Sequence, residues 1–209
     1  MLCNFDRIRY EIRPCDVLLI EGHSRVSRVI RSMSQSPWTH AALYIGRSHA
    51  IENPILRTEV SQAYDGDESE QLLVESVLGK GTIVTPISRY QDDHIRICRP
   101  AGLAHQDAQK VIGYAIGRLG IEYDIRQILD LARFLIPYGI LPRKWRSSLF
   151  KAKPGTPTRM ICSTLIAEAF HSVHFPILPL IKTNQEAGVE LVHRNPRIFT
   201  PTDFDYSPF

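Results

Sequence analysis

Trp38-Thr39-His40-Ala41-Ala42-Leu43-Tyr44-Ile45-Gly46 is the stretch on which the reading turns. Its aromatic and apolar run, closed by a glycine, predicts a β-strand over 38–45. Alternation then places Trp38, His40, Ala42 and Tyr44 on one face and Thr39, Ala41, Leu43 and Ile45 on the other. His40 is thus an imidazole fixed on a rigid strand. A histidine so placed fits either a satisfied core residue or a held general base, and spacing alone does not separate the two.

Upstream, Cys15 to Ile20 reads as a buried strand. Gly22 and His23 turn the chain, and Ser24 caps a helix carrying Val26, Val29, Ile30 and Met33. Downstream, Ser61 to Glu70 is polar and reads as an exposed loop. Leu72 to Val77 is a strand ended by Gly79 and Gly81, followed by short β segments at Thr82–Ile87 and Ile95–Cys98. Leu73, Glu75 and Val77 share a face of the third of these strands, so the Glu75 carboxylate either meets water or needs a buried partner.

Helical spacing appears at Val111, Ile112, Ala115, Ile116 and Leu119, closing at Gly120, and a second helix is expected near Tyr123. Leu165, Ile166, Ala169, Phe170 and Val173 mark a last helix, with Cys162 at its first turn. A helix N-terminus favours a thiolate through its unpaired N–H groups and dipole, and the same groups can bind an oxyanion. Taken alone, that position more often holds a buried structural cysteine packed beneath the helix. Cys15 and Cys98 lie in apolar strand-like runs, where a free thiol behaves as a small hydrophobe. Strands followed by helices give an α+β class.

Of the 209 residues 44% are hydrophobic and 22% charged, the make-up of a globular chain with a sizeable core, expected as a single domain over 1–209. A formal charge of +3 is too small to point to nucleic acid. No Gly-rich phosphate loop is present, and His171 and His174, one turn apart, have no evident third ligand, so neither cofactor nor metal is expected. Four cysteines without C-x-x-C pairs suggest reduced thiols, and the absence of an evident signal segment suggests a cytoplasmic protein. Residues 126–159 read as an insertion or lid: apolar, broken by prolines, and basic, with Asp130 its only acid. Within it Arg143, Lys144, Trp145 and Arg146 have the chemistry of a peripheral membrane contact, or of a solvated basic edge.

In their order, several short motifs resemble the circularly permuted NlpC-type papain-fold hydrolases, in particular the YiiX/YebB-like group. They are Cys15-Asp16-Val17-Leu18-Leu19, the 38–46 strand, Val74-Glu75-Ser76, Leu119-Gly120-Ile121-Glu122-Tyr123-Asp124, Cys162-Ser163-Thr164-Leu165-Ile166 and Thr200-Pro201-Thr202-Asp203. The resemblance implies a permuted papain-like fold, an antiparallel sheet or barrel packed against helices, with the histidine preceding the cysteine. It carries nucleophile onto Cys162, base onto His40, orienter onto Glu75 and an oxyanion-side role onto Tyr123. Amide substrates are implied, such as peptides with γ-glutamyl or diaminopimelate linkages. A lipid acyl group cleaved or transferred at a membrane surface, and a silent module that binds peptide or lipid, are the alternative expectations.

Overall fold

The computed structural model describes residues 4–24, 27, 28, 31, 34–77, 79–121, 161–184, 188–192 and 194–209. Tyr123, the 126–159 segment with Arg143, Lys144, Trp145 and Arg146, and Cys3 lie outside them.

Five strands form one antiparallel sheet: β1 (Val17–Glu21), β2 (His40–Gly46), β3 (Leu72–Val77), β4 (Gly81–Pro86) and β5 (His94–Cys98), in the order β4-β3-β2-β1-β5. Consecutive strands β2, β3 and β4 are neighbours, and β5 returns to lie beside β1. Around them come helices α1 (Phe5–Glu11), α2 (Pro54–Ala63), α3 (His105–Ile116), α4 (Ile161–His171) and α5 (Pro201–Asp205), and a hairpin of β6 (Leu180–Asn184) and β7 (Gly188–Val192). The class is α+β, as expected. Among the described residues no helix is long and apolar enough to cross a membrane.

Period-two alternation divides the sheet's side chains between two cores. Val17, Leu19, Ala41, Leu43, Leu72 and Val74 pack with Val111, Ile112 and Ala115 of α3 and Leu165, Ile166, Ala169 and Phe170 of α4. Leu18, Ile20, Ala42, Tyr44 and Leu73 face the other way, where Ile12, Ile87, Tyr90 and the partly buried Phe5 and Ile8 of α1 cover them. Burial on both faces explains why β1 reads as a continuous apolar run. Each large aliphatic side chain so buried contributes on the order of 2 kcal/mol.

Four expectations are corrected. Cys15 is not in a strand: it takes φ +75° in the turn before β1, although it stays 1% exposed. Trp38 does not share the face of His40, because the β2 ladder begins at His40. Trp38 instead joins the helix-side core, its indole Nε1 donating to Asp205 at 3.0 Å. Ser61–Ala63 complete α2, whose start is set by the Asn53 side chain accepting from the Ile55 N–H and by Pro54 in the first turn. Finally, the β6–β7 hairpin adds strands to the half of the chain read as helical.

The turn that carries the chain into β1 is pinned by Asp16. Its carboxylate, 1% exposed, accepts from Arg99 Nε at 2.9 Å and Nη2 at 2.7 Å, and from the Arg13 N–H at 2.8 Å. Asp16→Ala is expected to lower unfolding free energy by about 2 kcal/mol, since charge-assisted hydrogen bonds are lost while the half-exposed Arg99 regains water. Urea unfolding at neutral pH measures it; an unchanged midpoint would show that the Asp16 bonds do not hold this turn.

Candidate active site

The first turn of α4 brings Cys162 to β2, and β3 lies behind β2 in the site. Cys162 is the second residue of α4, whose first turn is anchored by Ser163: fully buried, the serine donates from Oγ to the Phe199 carbonyl at 2.6 Å. The segment bearing Phe199 leads into α5, where Thr200 and Asp203 form a capping box and Arg194 holds Asp203 at 2.9 Å. The closing Thr200–Asp203 motif therefore serves the cysteine indirectly, by fixing the helix that presents it.

His40 opens β2 and pairs with Ile20 of β1. Its ring Nε2 lies 2.5 Å from Oε2 of Glu75, the central residue of the Leu73–Glu75–Val77 face of β3. With Nε2 so engaged, Nδ1 is the nitrogen left for the Cys162 thiol, which lies close enough for each group to shift the other's ionisation. The three residues named from sequence thus meet in space, in the order thiol, imidazole, carboxylate.

Glu75 has no exposed surface, and the partner its strand position called for is supplied by three hydrogen bonds and one nearby charge. Besides His40, the Tyr90 hydroxyl donates to Oε2 at 2.5 Å and the Thr85 hydroxyl to Oε1 at 2.6 Å, while Arg89 Nη1 stands 3.9 Å from Oε1. Thr85 reaches the carboxylate because β4 returns antiparallel to β3, pairing Leu73 with Thr85 and Glu75 with Ile83 on the same face. The tight reversal that sets this register uses Gly79 at φ +77° and Gly81 at φ +74°, values that favour glycine. Tyr90 comes from the 3-10 turn Ile87–Tyr90 after β4. None of Thr85, Arg89 and Tyr90 was singled out from sequence; the signal available was the hairpin register, which turns the faces of β3 toward those of β4.

The electrostatics follow. Burial pushes the Glu75 carboxyl toward neutrality, but the hydrogen bonds from His40, Thr85 and Tyr90 and the charge of His40 outweigh it and hold the group down at about 2. Burial likewise opposes charge on His40, and is overcome by the Cys162 thiolate and by Glu75, so the imidazole is held well above its usual range. For Cys162 burial works against the thiolate, whereas the charge and hydrogen bond of His40 and the backbone N–H groups of Ala41 and Ser163 favour it, and the balance is downward. The other described cysteines contrast sharply. Burial, aided by Asp16, pushes Cys15 up to about 12, and burial, aided by Asp205, does the same to Cys98. Of the three, Cys162 alone sits where a thiolate is favoured.

Among the described residues no group of three or more His, Cys, Asp or Glu is placed to hold a metal ion. His171 closes α4 and packs edge-on against Phe199, with ring centroids 5.9 Å apart.

The fold has a counterpart among solved structures. The chain is similar to the crystal structure titled as the metalloprotein yiiX from Escherichia coli O157:H7, with a TM-score of 0.53 and 13% identity over 94% of this chain and 93% of that one. At that identity the likeness concerns the fold. Among curated proteins none matches. The family model described as "Permuted papain-like amidase enzyme, YaeF/YiiX, C92 family" matches residues 11–132, more than half of the chain, a span that contains both His40 and Glu75 and stops before Cys162. With that match over more than half of its length, the chain belongs to the permuted papain-like amidase family, a family of cysteine peptidases and amidases.

Proposed function

We propose that the protein hydrolyses an amide bond through a thioester formed on Cys162, with His40 as proton carrier and Glu75 as the group that orients it. The thiolate of Cys162 attacks the amide carbon, and the carbonyl oxygen takes the negative charge. Collapse of this intermediate breaks the C–N bond as the His40 imidazolium gives its Nδ1 proton to the leaving amine. Neutral His40 then takes a proton from water as the hydroxide adds to the thioester. Expulsion of the thiolate releases the acid and restores the starting pair. Glu75, accepting from Nε2, fixes the ring's tautomer and stabilises its charged form.

One observation supports this reading above the rest: the His40–Glu75 contact at 2.5 Å, with the Cys162 thiol beside the ring. Family membership favours amide over ester substrates, and short peptides with γ-glutamyl or diaminopimelate linkages fit that class.

Alkylation rates test the pair without knowledge of the substrate. At neutral pH a small thiol reagent is expected to label Cys162 before Cys15 and Cys98, and His40→Ala is expected to slow that labelling by tenfold or more, on the order of one pKa unit or more of lost thiolate stabilisation. Peptide mass mapping identifies the labelled residue. If Cys162 reacts no faster than Cys15 and Cys98, it is a buried structural cysteine and a binding module becomes the better reading.

A further inference from the structure

Glu75 could satisfy its charge in two directions, and only one of them serves His40. Arg89 Nη1, on a side chain 43% exposed, lies 3.9 Å from Oε1: close enough to attract the carboxylate, too far for a hydrogen bond. A small rotation of the carboxylate toward the guanidinium would create a charge-assisted bond and take Oε2 off the imidazole. Both hydroxyls oppose that rotation. Tyr90 fastens Oε2, the oxygen that His40 uses, and Thr85 occupies Oε1, the oxygen nearest Arg89.

We propose that Tyr90 and Thr85 are positioning residues of the reaction, holding Oε2 of Glu75 on His40 against the pull of Arg89. The inference rests on reading Cys162, His40 and Glu75 as the reacting group. Each hydroxyl bonds the carboxylate and acts through it. The groups facing Glu75 are His40 from β2, Thr85 from β4, and Arg89 and Tyr90 from the turn, with Cys162 of α4 beyond His40. Tyr90 is suited to remain a donor. Burial and the neighbouring Glu75 charge both push its phenol ionisation upward, so it keeps its proton. Its ring also neighbours both competitors, 6.2 Å from that of His40 and 5.9 Å from the Arg89 guanidinium carbon.

A pH profile separates this role from a packing role. The rate of Cys162 alkylation by iodoacetamide follows the thiolate fraction, which depends on how well Glu75 stabilises the His40 imidazolium. With the carboxylate drawn toward Arg89, the imidazolium is less stabilised and the thiol ionises at higher pH. Tyr90→Phe and Thr85→Val should therefore each move the rise in labelling upward by about one pH unit. Thr85→Ser should restore it, and Tyr90→Phe/Arg89→Gln should move it back because the competitor is gone. Thr85→Val preserves side-chain shape, so it carries the test even where Tyr90→Phe fails to fold. A profile unmoved or moved downward in these variants overturns the proposal, as does an upward shift that Arg89→Gln leaves in place. His40→Ala provides the separate control: if it labels as fast as wild type, the reading of the base itself fails. If it labels slowly while the Tyr90 and Thr85 variants match wild type, the positioning proposal alone fails.

Discussion

Cys162→Ala is expected to reduce amide hydrolysis by on the order of 10⁴-fold or more, and combining it with His40→Ala is expected to cost almost nothing further. The first loss follows from removing the atom on which the proposed thioester forms: neither Cys15 nor Cys98 can substitute, since burial holds both thiols un-ionised, their ionisation pushed up to about 12. The second follows from mutual dependence. His40 has no proton to carry in the absence of the thiolate, and the thiolate is favoured chiefly by the charge of His40. Residues that act as one unit show strongly non-additive losses, whereas two independent contributions would multiply. Steady-state hydrolysis of a family-type amide, measured for the two single variants and the double variant, decides between these. A double variant far less active than Cys162→Ala would mean that His40 serves the reaction apart from the thiol.

Much of this arrangement was legible in the sequence, for reasons specific to each element. The Leu72–Val77 and Thr82–Ile87 segments stood out because each is short and rich in β-forming apolar residues and glycines separate them; in the structure both glycines take positive φ. Cys162 stood out because an apolar helical stripe begins directly after it. Other features escaped because their determinants are not periodic. Only Val60 of α2 is buried, so its sequence shows no stripe, and its signal was local: Asn53 as cap with Pro54 behind it. In the β6–β7 hairpin Lys182, in register with Glu190, breaks the apolar run of the sequence. Cys15 continues an apolar run into β1, yet a positive φ takes it out of the strand. Thr85 and Tyr90 show a deeper limit. A hydroxyl carries no mark of its partner in sequence, and these two find Glu75 only through strand register and a 3-10 turn.

That buried carboxylate also makes a measurable pH dependence. The folded-state ionisation of Glu75 is depressed from 4.5 to about 2, so the carboxylate stabilises the fold fully above pH 4.5, and this contribution is lost as pH falls from there toward 2. The sign is positive with rising pH across that window, and the linkage amounts to about 3 kcal/mol. Glu75→Gln keeps an acceptor oxygen for Thr85 or Tyr90 but carries no titrating charge. In urea unfolding at a series of pH values, its stability should lie below wild type at neutral pH, and the gap should close as pH falls through the window. Glu75→Ala should be harsher, costing about 3–5 kcal/mol at neutral pH, because the Thr85 and Tyr90 hydroxyls and the His40 Nε2 proton lose their acceptor where no water reaches the carboxylate site. Hydrolysis should fall by on the order of 10³-fold in Glu75→Gln, since an amide neither stabilises the imidazolium nor fixes its tautomer as a carboxylate does. If wild type and Glu75→Gln instead lose stability in parallel between pH 4.5 and 2, Glu75 does not titrate with folding, and the hydroxyls around it do not hold a charge.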